Sequence, residues 1–344
     1  MVSTIPTIDL SKALNSTQGF TILGGAAYDM SGISVASAGD VNNDGFDDII
    51  IGARGADPSS REDAGQSYVI YGTATNPGTI DLSVALSSTQ GFAILGGATG
   101  DFSGNSVASA GDVNNDGFDD IIIGAYWADP SSRSEAGQSY VIYGSATNPG
   151  TIDLSVALSS TQGFTILGDD PDDRSGRSVA SAGDVNNDGY SDIIIGVPYS
   201  SSRSYAGQSY VIYGSATNPG TIDLSVALSS TQGFTILGGA SDDWSGWSVA
   251  SAGDVNNDGY DDIIIGAHGS RSYAGQSYVI YGSATNPGTI DLSTALSSTQ
   301  GFTILGGATY DSSGWSVASA GDVNNDGYHG HYHRSGWCRP KLKN

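Results

Sequence analysis

The chain has 344 residues, of which 50 are glycine, 36 acidic and 12 basic, leaving a net charge of −24. Such an acidic chain repels nucleic acid and anionic membranes, which excludes both as partners. Charged residues are only 14% of the total, against roughly a quarter in an average globular chain, so a repetitive, turn-rich β protein is favoured over a helical one. Glu62 and Glu135 are the two glutamates among the acidic residues, and a preference this strong for the shorter carboxylate points to tight calcium loops. The one cysteine, Cys338, excludes an internal disulfide framework and a cysteine-ligated zinc site. No basic, then apolar, leader opens the chain and no run of about 18 apolar residues occurs, so membrane insertion is not expected. Export would need a leader outside this segment or a leaderless route.

Taken in order, the elements recur. TIDL begins at Thr7, Thr79, Thr151, Thr221 and Thr289, and the aspartate of GDVNNDG falls at Asp40, Asp112, Asp184, Asp254 and Asp322, at spacings of 72, 72, 70 and 68. Residues 1–328 therefore form four complete units and a partial fifth, and 329–344 are a separate tail. A fixed period of this kind marks a repeat architecture. In the first unit, strands are predicted at Phe20 to Leu23, Ser34 to Ala38, Asp48 to Gly52 and Ser67 to Tyr71, four per unit between glycine-rich turns. The continuous run Ile49, Ile50, Ile51 suits a strand covered on both faces. The predicted fold is all-β, a propeller of four-stranded blades, either a closed five-bladed ring or an open arc of a larger one.

Between the second and third predicted strands lies Asp40-Val41-Asn42-Asn43-Asp44-Gly45-Phe46-Asp47-Asp48. Oxygen side chains stand at positions 1, 3, 5 and 9, glycine at 6 allows a sharp bend, and position 7 offers its carbonyl, which is what a hard cation with 6 to 8 oxygen ligands needs. The predicted ligands are Asp40, Asn42, Asp44, Phe46 and Asp48; Asp112, Asn114, Asp116, Phe118 and Asp120; Asp184, Asn186, Asp188, Tyr190 and Asp192; and Asp254, Asn256, Asp258, Tyr260 and Asp262. A fifth loop begins with Asp322, Asn324 and Asp326. Position 12 is Ile51 rather than glutamate, and the flanks read as strands, so this is a hairpin loop and not an EF-hand. An isolated DG turn needs no metal; four copies that each keep the ninth-position aspartate argue for one Ca²⁺ per complete repeat.

GDVNNDGFDDIIIGA followed by AGQSYVIYG resembles the FG-GAP repeats of the integrin α-subunit propeller and their bacterial relatives. The chain departs from that pattern where Phe-Gly is replaced by Ser31-Gly32 and Ser103-Gly104. The resemblance implies that SVASAGDV is the innermost strand and FTILGG, from the start of the next repeat, the outermost. Blades would span Ile33 to Leu95, Asn105 to Leu167, Arg177 to Leu237 and Trp247 to Leu305, and the strand at Phe20 would complete the last blade and close the ring. It implies a calcium-stabilised extracellular or cell-surface adhesion module with a protein or glycan ligand. The alternative is a non-catalytic scaffold of a larger secreted hydrolase or lyase.

Strand alternation places the calcium loops and the TATNPGTIDLSVALSSTQG connection on one face, and the other two loops on the opposite face. Repeats vary on that second face, where Phe102, Trp127, Arg174, Arg177, Trp244, Trp247 and Trp315 are the candidate ligand-binding residues, of types enriched at binding hot spots. Outside the tail the one histidine is His268 and neither glutamate recurs, so no catalytic residue is assigned and an enzyme is not expected. The tail holds His329, His331, His333 and Cys338. Its composition, and a codon choice that reads IIIGVAGADPNS one nucleotide later, predict a frameshifted fifth repeat rather than a transition-metal site.

Overall fold

The computed structural model describes residues 14, 15 and 17–322 and the backbone of the strand Gly330–Ser335. Four sheets repeat one order. From inside outward the first holds Ser34–Gly39, Asp48–Ala53, Gln66–Ile70 and Gly91–Leu95, each antiparallel to its neighbour. The second holds Ser106–Gly111, Asp120–Ala125, Gln138–Ile142 and Gly163–Leu167, the third Ser178–Gly183, Asp192–Val197, Gln208–Ile212 and Gly233–Leu237. The fourth holds Ser248–Gly253, Asp262–Ala267, Gln276–Ile280 and Gly301–Leu305. These are propeller blades, and the outermost strand of each comes from the start of the next repeat, as expected.

The isoleucine runs explain how blades stack. In the second blade Ile121 and Ile123 pack into a cluster with Ile50 and Val69 of the first, while Ile122 packs with Val179, Ile193 and Ile195 of the third. The period of two sends alternate side chains to opposite faces, and both faces are covered. Inner strands are tied directly: the amides of Val107, Val179, Val249 and Val317 each donate to the hydroxyl of the serine opening the preceding inner strand, at 3.1 Å.

Two features differ from expectation. TIDL is a fifth strand: Thr151–Asp153 pairs parallel to Gly91–Leu95, Thr221–Asp223 to Gly163–Leu167, and Thr289–Asp291 to Gly233–Leu237. The long connection thus climbs the outside of the preceding blade instead of staying on the calcium-loop face. At the far end Arg61 meets Asp153 and Arg133 meets Asp223, both at 2.8 Å. Ile80, Ile152, Ile222 and Ile290 are buried, so hydrophobic burial holds this clasp in place.

The second difference is closure. Thr21–Leu23 pairs with Thr79–Asp81 and with no strand of the last sheet among the described residues. Val35, on the first inner strand, is 58% exposed, whereas its counterparts Val107, Val179 and Val249 are each 4% exposed. The described residues form an arc with an uncovered apolar face on its first blade. In the fifth sheet, Gly330–Ser335 pairs with Ser313–Gly321, and Gly330 takes the register opposite Gly321 that Asp48 takes opposite Gly39. The backbone of the tail's first residues therefore stands where DIIIGA stands in the other blades. Asn324, Asp326, His329 and Cys338 lie outside the described residues.

Candidate functional site

The four described Asp-Asn loops are built the same way. In the first, Asp40 accepts the amides of Asp44 at 3.0 Å and Gly45 at 2.8 Å, Asn42 accepts Asp44 N–H at 3.0 Å, and Asp44 accepts Phe46 N–H at 3.0 Å. Position 6 is left-handed in the four described loops, with φ of 91° at Gly45, Gly117, Gly189 and Gly259, so glycine is required there. Position 4 is also left-handed, at Asn43, Asn115, Asn187 and Asn257. Asparagine tolerates that conformation better than other side chains, a role that the search for alternate oxygens does not reveal.

The ninth-position aspartate differs from the other ligands. Asp48 accepts Val41 N–H at 2.9 Å and Gly72 N–H at 2.7 Å, and Asp120, Asp192 and Asp262 make the same pair of bonds. All four are buried. Burial pushes the carboxyls of Asp48 and Asp262 up to about 6 and those of Asp120 and Asp192 up to about 8, against the two amide bonds and with help from the loop's own carboxylates. A buried carboxyl beside two more acids calls for a compensating cation. The donor set is all oxygen, and each Asp48 oxygen keeps a lone pair beyond its amide bond, so the loops fit a hard divalent ion.

Position 8 carries a contact between blades that sequence spacing misses. Asp119 accepts the amide of Asp40 in the preceding blade at 2.9 Å, and Asp261 does the same to Asp184 at 3.0 Å. A methyl group on Gly39 or Gly183 would collide with these carboxylates. Successive loops are therefore joined on one face of the arc.

On the opposite face, the loop entering each inner strand runs beside the preceding blade. The amides of Phe102, Arg174, Trp244 and Ser312 donate to Asp63, Glu135, Tyr205 and Tyr273 carbonyls at 2.8–3.1 Å. This contact holds the four residues at φ of 52°, 57°, 51° and 52°. Left-handed backbone disfavours large side chains, yet Phe, Arg and Trp occupy it. Ser103, Ser175 and Ser245 follow directly and are buried, each donating its amide to the preceding blade; the Ser-Gly departures thus keep an interblade contact.

The candidate ligand residues come together. Phe102 meets Trp127 edge-on at 5.1 Å. The guanidinium of Arg174 lies 5.1 Å from the Trp127 ring and 4.9 Å from Tyr199, and bridges Glu135 at 2.7 Å. Arg177 lies 4.5 Å from Trp247 and 5.8 Å from Tyr126. Trp247 and Trp315 are 5.0 Å apart, and Trp244 is 6.3 Å from Trp247. His268 sits among Trp244, Trp247 and Trp315 at 5.0, 4.5 and 4.6 Å.

The four repeats match the FG-GAP repeat family over residues 31–70, 103–142, 175–212 and 245–280. The chain contains four FG-GAP repeats. The matched segments run from the Ser-Gly pair through the Asp-Asn loop to the third strand, so they contain the loop geometry just described. The FG-GAP chain is 34% identical over 258 residues to integrin alpha pat-2 of Caenorhabditis elegans, covering 72% of this chain and 18% of that protein. It is 31% identical over 184 residues to integrin alpha-8 of Mus musculus, 50% of this chain and 16% of the relative. It is also 31% identical over 161 residues to phosphatidylinositol-glycan-specific phospholipase D of Bos taurus, 46% of this chain and 18% of the relative. The matched region spans less than a fifth of each of these relatives.

His268 adds a pH dependence to the FG-GAP arc. It is 3% exposed, and burial, helped by the charge of Arg177, lowers its pKa from 6.5 to about 4. The folded state therefore holds the imidazole neutral where the unfolded chain would protonate it. Its contribution to stability is complete above pH 6.5 and is lost as pH falls through 4. Relative to His268→Phe, the wild type should lose about 3 kcal/mol of unfolding free energy between neutral pH and about pH 4. Urea unfolding at both pH values checks this, and parallel pH curves for the two proteins would contradict it.

Proposed function

We propose that the chain is a calcium-stabilised extracellular binding module, non-catalytic, whose ligand sits on the face opposite the Asp-Asn loops. One observation carries the reading. Among the described residues no carboxylate reaches the guanidinium of Arg177, which is held between Tyr126 and Trp247 in a chain of net charge −24. A half-buried cation left without an anion in so acidic a protein is a receptor for a carboxylate or sulfate. Arg54 and Arg174 both raise the local positive potential that Arg177 experiences. The surrounding aromatic rings add stacking area of the kind found at binding hot spots, which fits an acidic protein or glycan ligand.

The calcium half of the reading rests on the all-oxygen loops and their buried ninth-position carboxyls. Bound Ca²⁺ would neutralise charge and cross-brace each hairpin tip, with Asp40, Asn42, Asp44 and the Phe46 carbonyl facing the ion and Asp48 anchoring the loop to the third strand. Among the described residues no helix is long and apolar enough to cross a membrane. His268, the one histidine outside the tail, is closed in by three tryptophans, which supports binding over catalysis. The similarity to phosphatidylinositol-glycan-specific phospholipase D favours one second reading, a non-catalytic scaffold within a larger secreted hydrolase.

A binding screen against acidic glycans and matrix proteins tests the ligand face. Arg177→Gln should weaken any hit by about tenfold or more, the loss expected for a charge-assisted hydrogen bond, while Ser88→Ala on the opposite face should leave affinity unchanged. Equal affinity for all three proteins would remove the ligand from this face.

A further inference from the structure

The segment entering the inner strand follows one pattern in four repeats. Asp29, Asp101, Asp243 and Asp311 each turn back to accept the amide of Ala26, Ala98, Ala240 or Ala308, at 2.7–3.0 Å. Those alanines follow a Gly-Gly pair. The third repeat reads Gly168-Asp169-Asp170-Pro171-Asp172-Asp173, with two carboxylates in place of the second glycine and the alanine. There the recurring aspartate is arranged differently. Asp173 Oδ1 accepts the amide of Ser201 at 2.8 Å and its hydroxyl at 3.0 Å. Its other oxygen, Oδ2, is buried without a hydrogen-bond partner, in a residue that is 0% exposed.

Asp169, Asp170 and Asp173 bring carboxylate oxygens to within 4.8 Å of one another. Asp169 is fixed from below by the hydroxyl of Tyr210, which donates to it at 3.0 Å. Two oxygens bound to one Ca²⁺ at 2.3–2.6 Å cannot stand more than about 5 Å apart, and this cluster meets that limit. An unpaired buried carboxylate oxygen beside two further carboxylates is costly unless a cation sits among them.

We infer that Asp169, Asp170 and Asp173 form a divalent-cation site, selective for a hard ion such as Ca²⁺, unique to the third repeat and located on the face opposite the Asp-Asn loops. Its ion is held by carboxylates from one turn, with Tyr210 and Ser201 orienting two of them. The site is independent of the four loops, because no residue is shared. It lies beside Arg174 in sequence and brings a second charge to the face that carries the aromatic and arginine cluster.

Equilibrium dialysis with Ca²⁺ on the full chain tests it. The double variant Asp169→Gly with Asp170→Ala restores the Gly-Ala of the sister repeats and so keeps a turn that the fold already uses four times. Asp173→Asn keeps shape and hydrogen-bonding capacity. Both should bind one ion fewer than the wild type at saturation, whatever the number taken up by the loops. Failure of the loops to bind would lower all three counts equally and leave the difference of one intact. Equal stoichiometry in the three proteins would overturn the site.

Discussion

Chelation of Ca²⁺ should lower the melting temperature of the chain by on the order of 20 °C. A ligand present at a hundredfold its dissociation constant adds about 2.7 kcal/mol per site, so four loops add on the order of 10 kcal/mol. In a protein of this size each kcal/mol moves the midpoint by about 2 °C. Circular-dichroism melts in Ca²⁺ and in EGTA measure the shift, and superimposable melts would refute the metal reading of the loops. Two variants separate ion binding from the loop's own hydrogen bonding. Asp116 accepts only the Phe118 amide and the Asn114 side chain inside its exposed loop, so Asp116→Asn should remove one loop's calcium increment and leave the EGTA melt nearly unchanged. Asp120 instead satisfies the amides of Val113 and Gly144. Asp120→Ala should therefore destabilise the calcium-free protein as well, by roughly 2–4 kcal/mol for two buried donors left unpaired.

Gly124→Ala should destabilise the chain by about 3 kcal/mol or more, the high end of overpacking effects. Gly124 lies in the second strand of its blade, and an added methyl group would overlap the backbone carbonyl of Gly176 in the next blade. Backbone against backbone leaves no flexible side chain to move aside. The same crossing recurs at Gly52 against Gly104, Gly196 against Gly246 and Gly266 against Gly314, so the blades are spaced by paired glycines. Gly100→Ala is the control: Gly100 has φ of 81° with open space around it, and its substitution should cost only the left-handed backbone penalty, about 1 kcal/mol. Chemical denaturation of both variants decides the matter, and a smaller loss for Gly124→Ala than for Gly100→Ala would contradict the glycine-spaced packing.

Much of this arrangement is legible in the residues themselves. The strands Ser34–Gly39 and Asp48–Ala53 fall where SVASAG and DIIIGA place them, because apolar alternation and turn glycines are local signals. The Asp-Asn hairpin is equally local: Gly45 at position 6 and side-chain oxygens at alternate positions are properties of nine consecutive residues. The varying positions Phe102, Arg174 and Trp244 were visible as a column because the repeats supply their own internal comparison. What that column does was not visible, since the Arg174 contacts to Trp127 and Tyr199 join different repeats.

The repeat, the four-stranded unit, the hairpin loops and the identity of the varying face are thus determined by the sequence alone, because each depends on residues close together in the chain or on a motif that recurs. Only the tertiary structure decided that TIDL pairs as a parallel fifth strand, that Asp119 binds the loop of the preceding blade, and that the described blades leave Val35 uncovered. It also decided which carboxylate is orphaned: Asp173 and Asp101 occupy the same place in their repeats, but Asp173 Oδ1 accepts from Ser201, 28 residues away, and its Oδ2 is left without a partner. Contacts of this kind join segments far apart in the chain, and their partners are chosen by how the blades stack rather than by any local propensity.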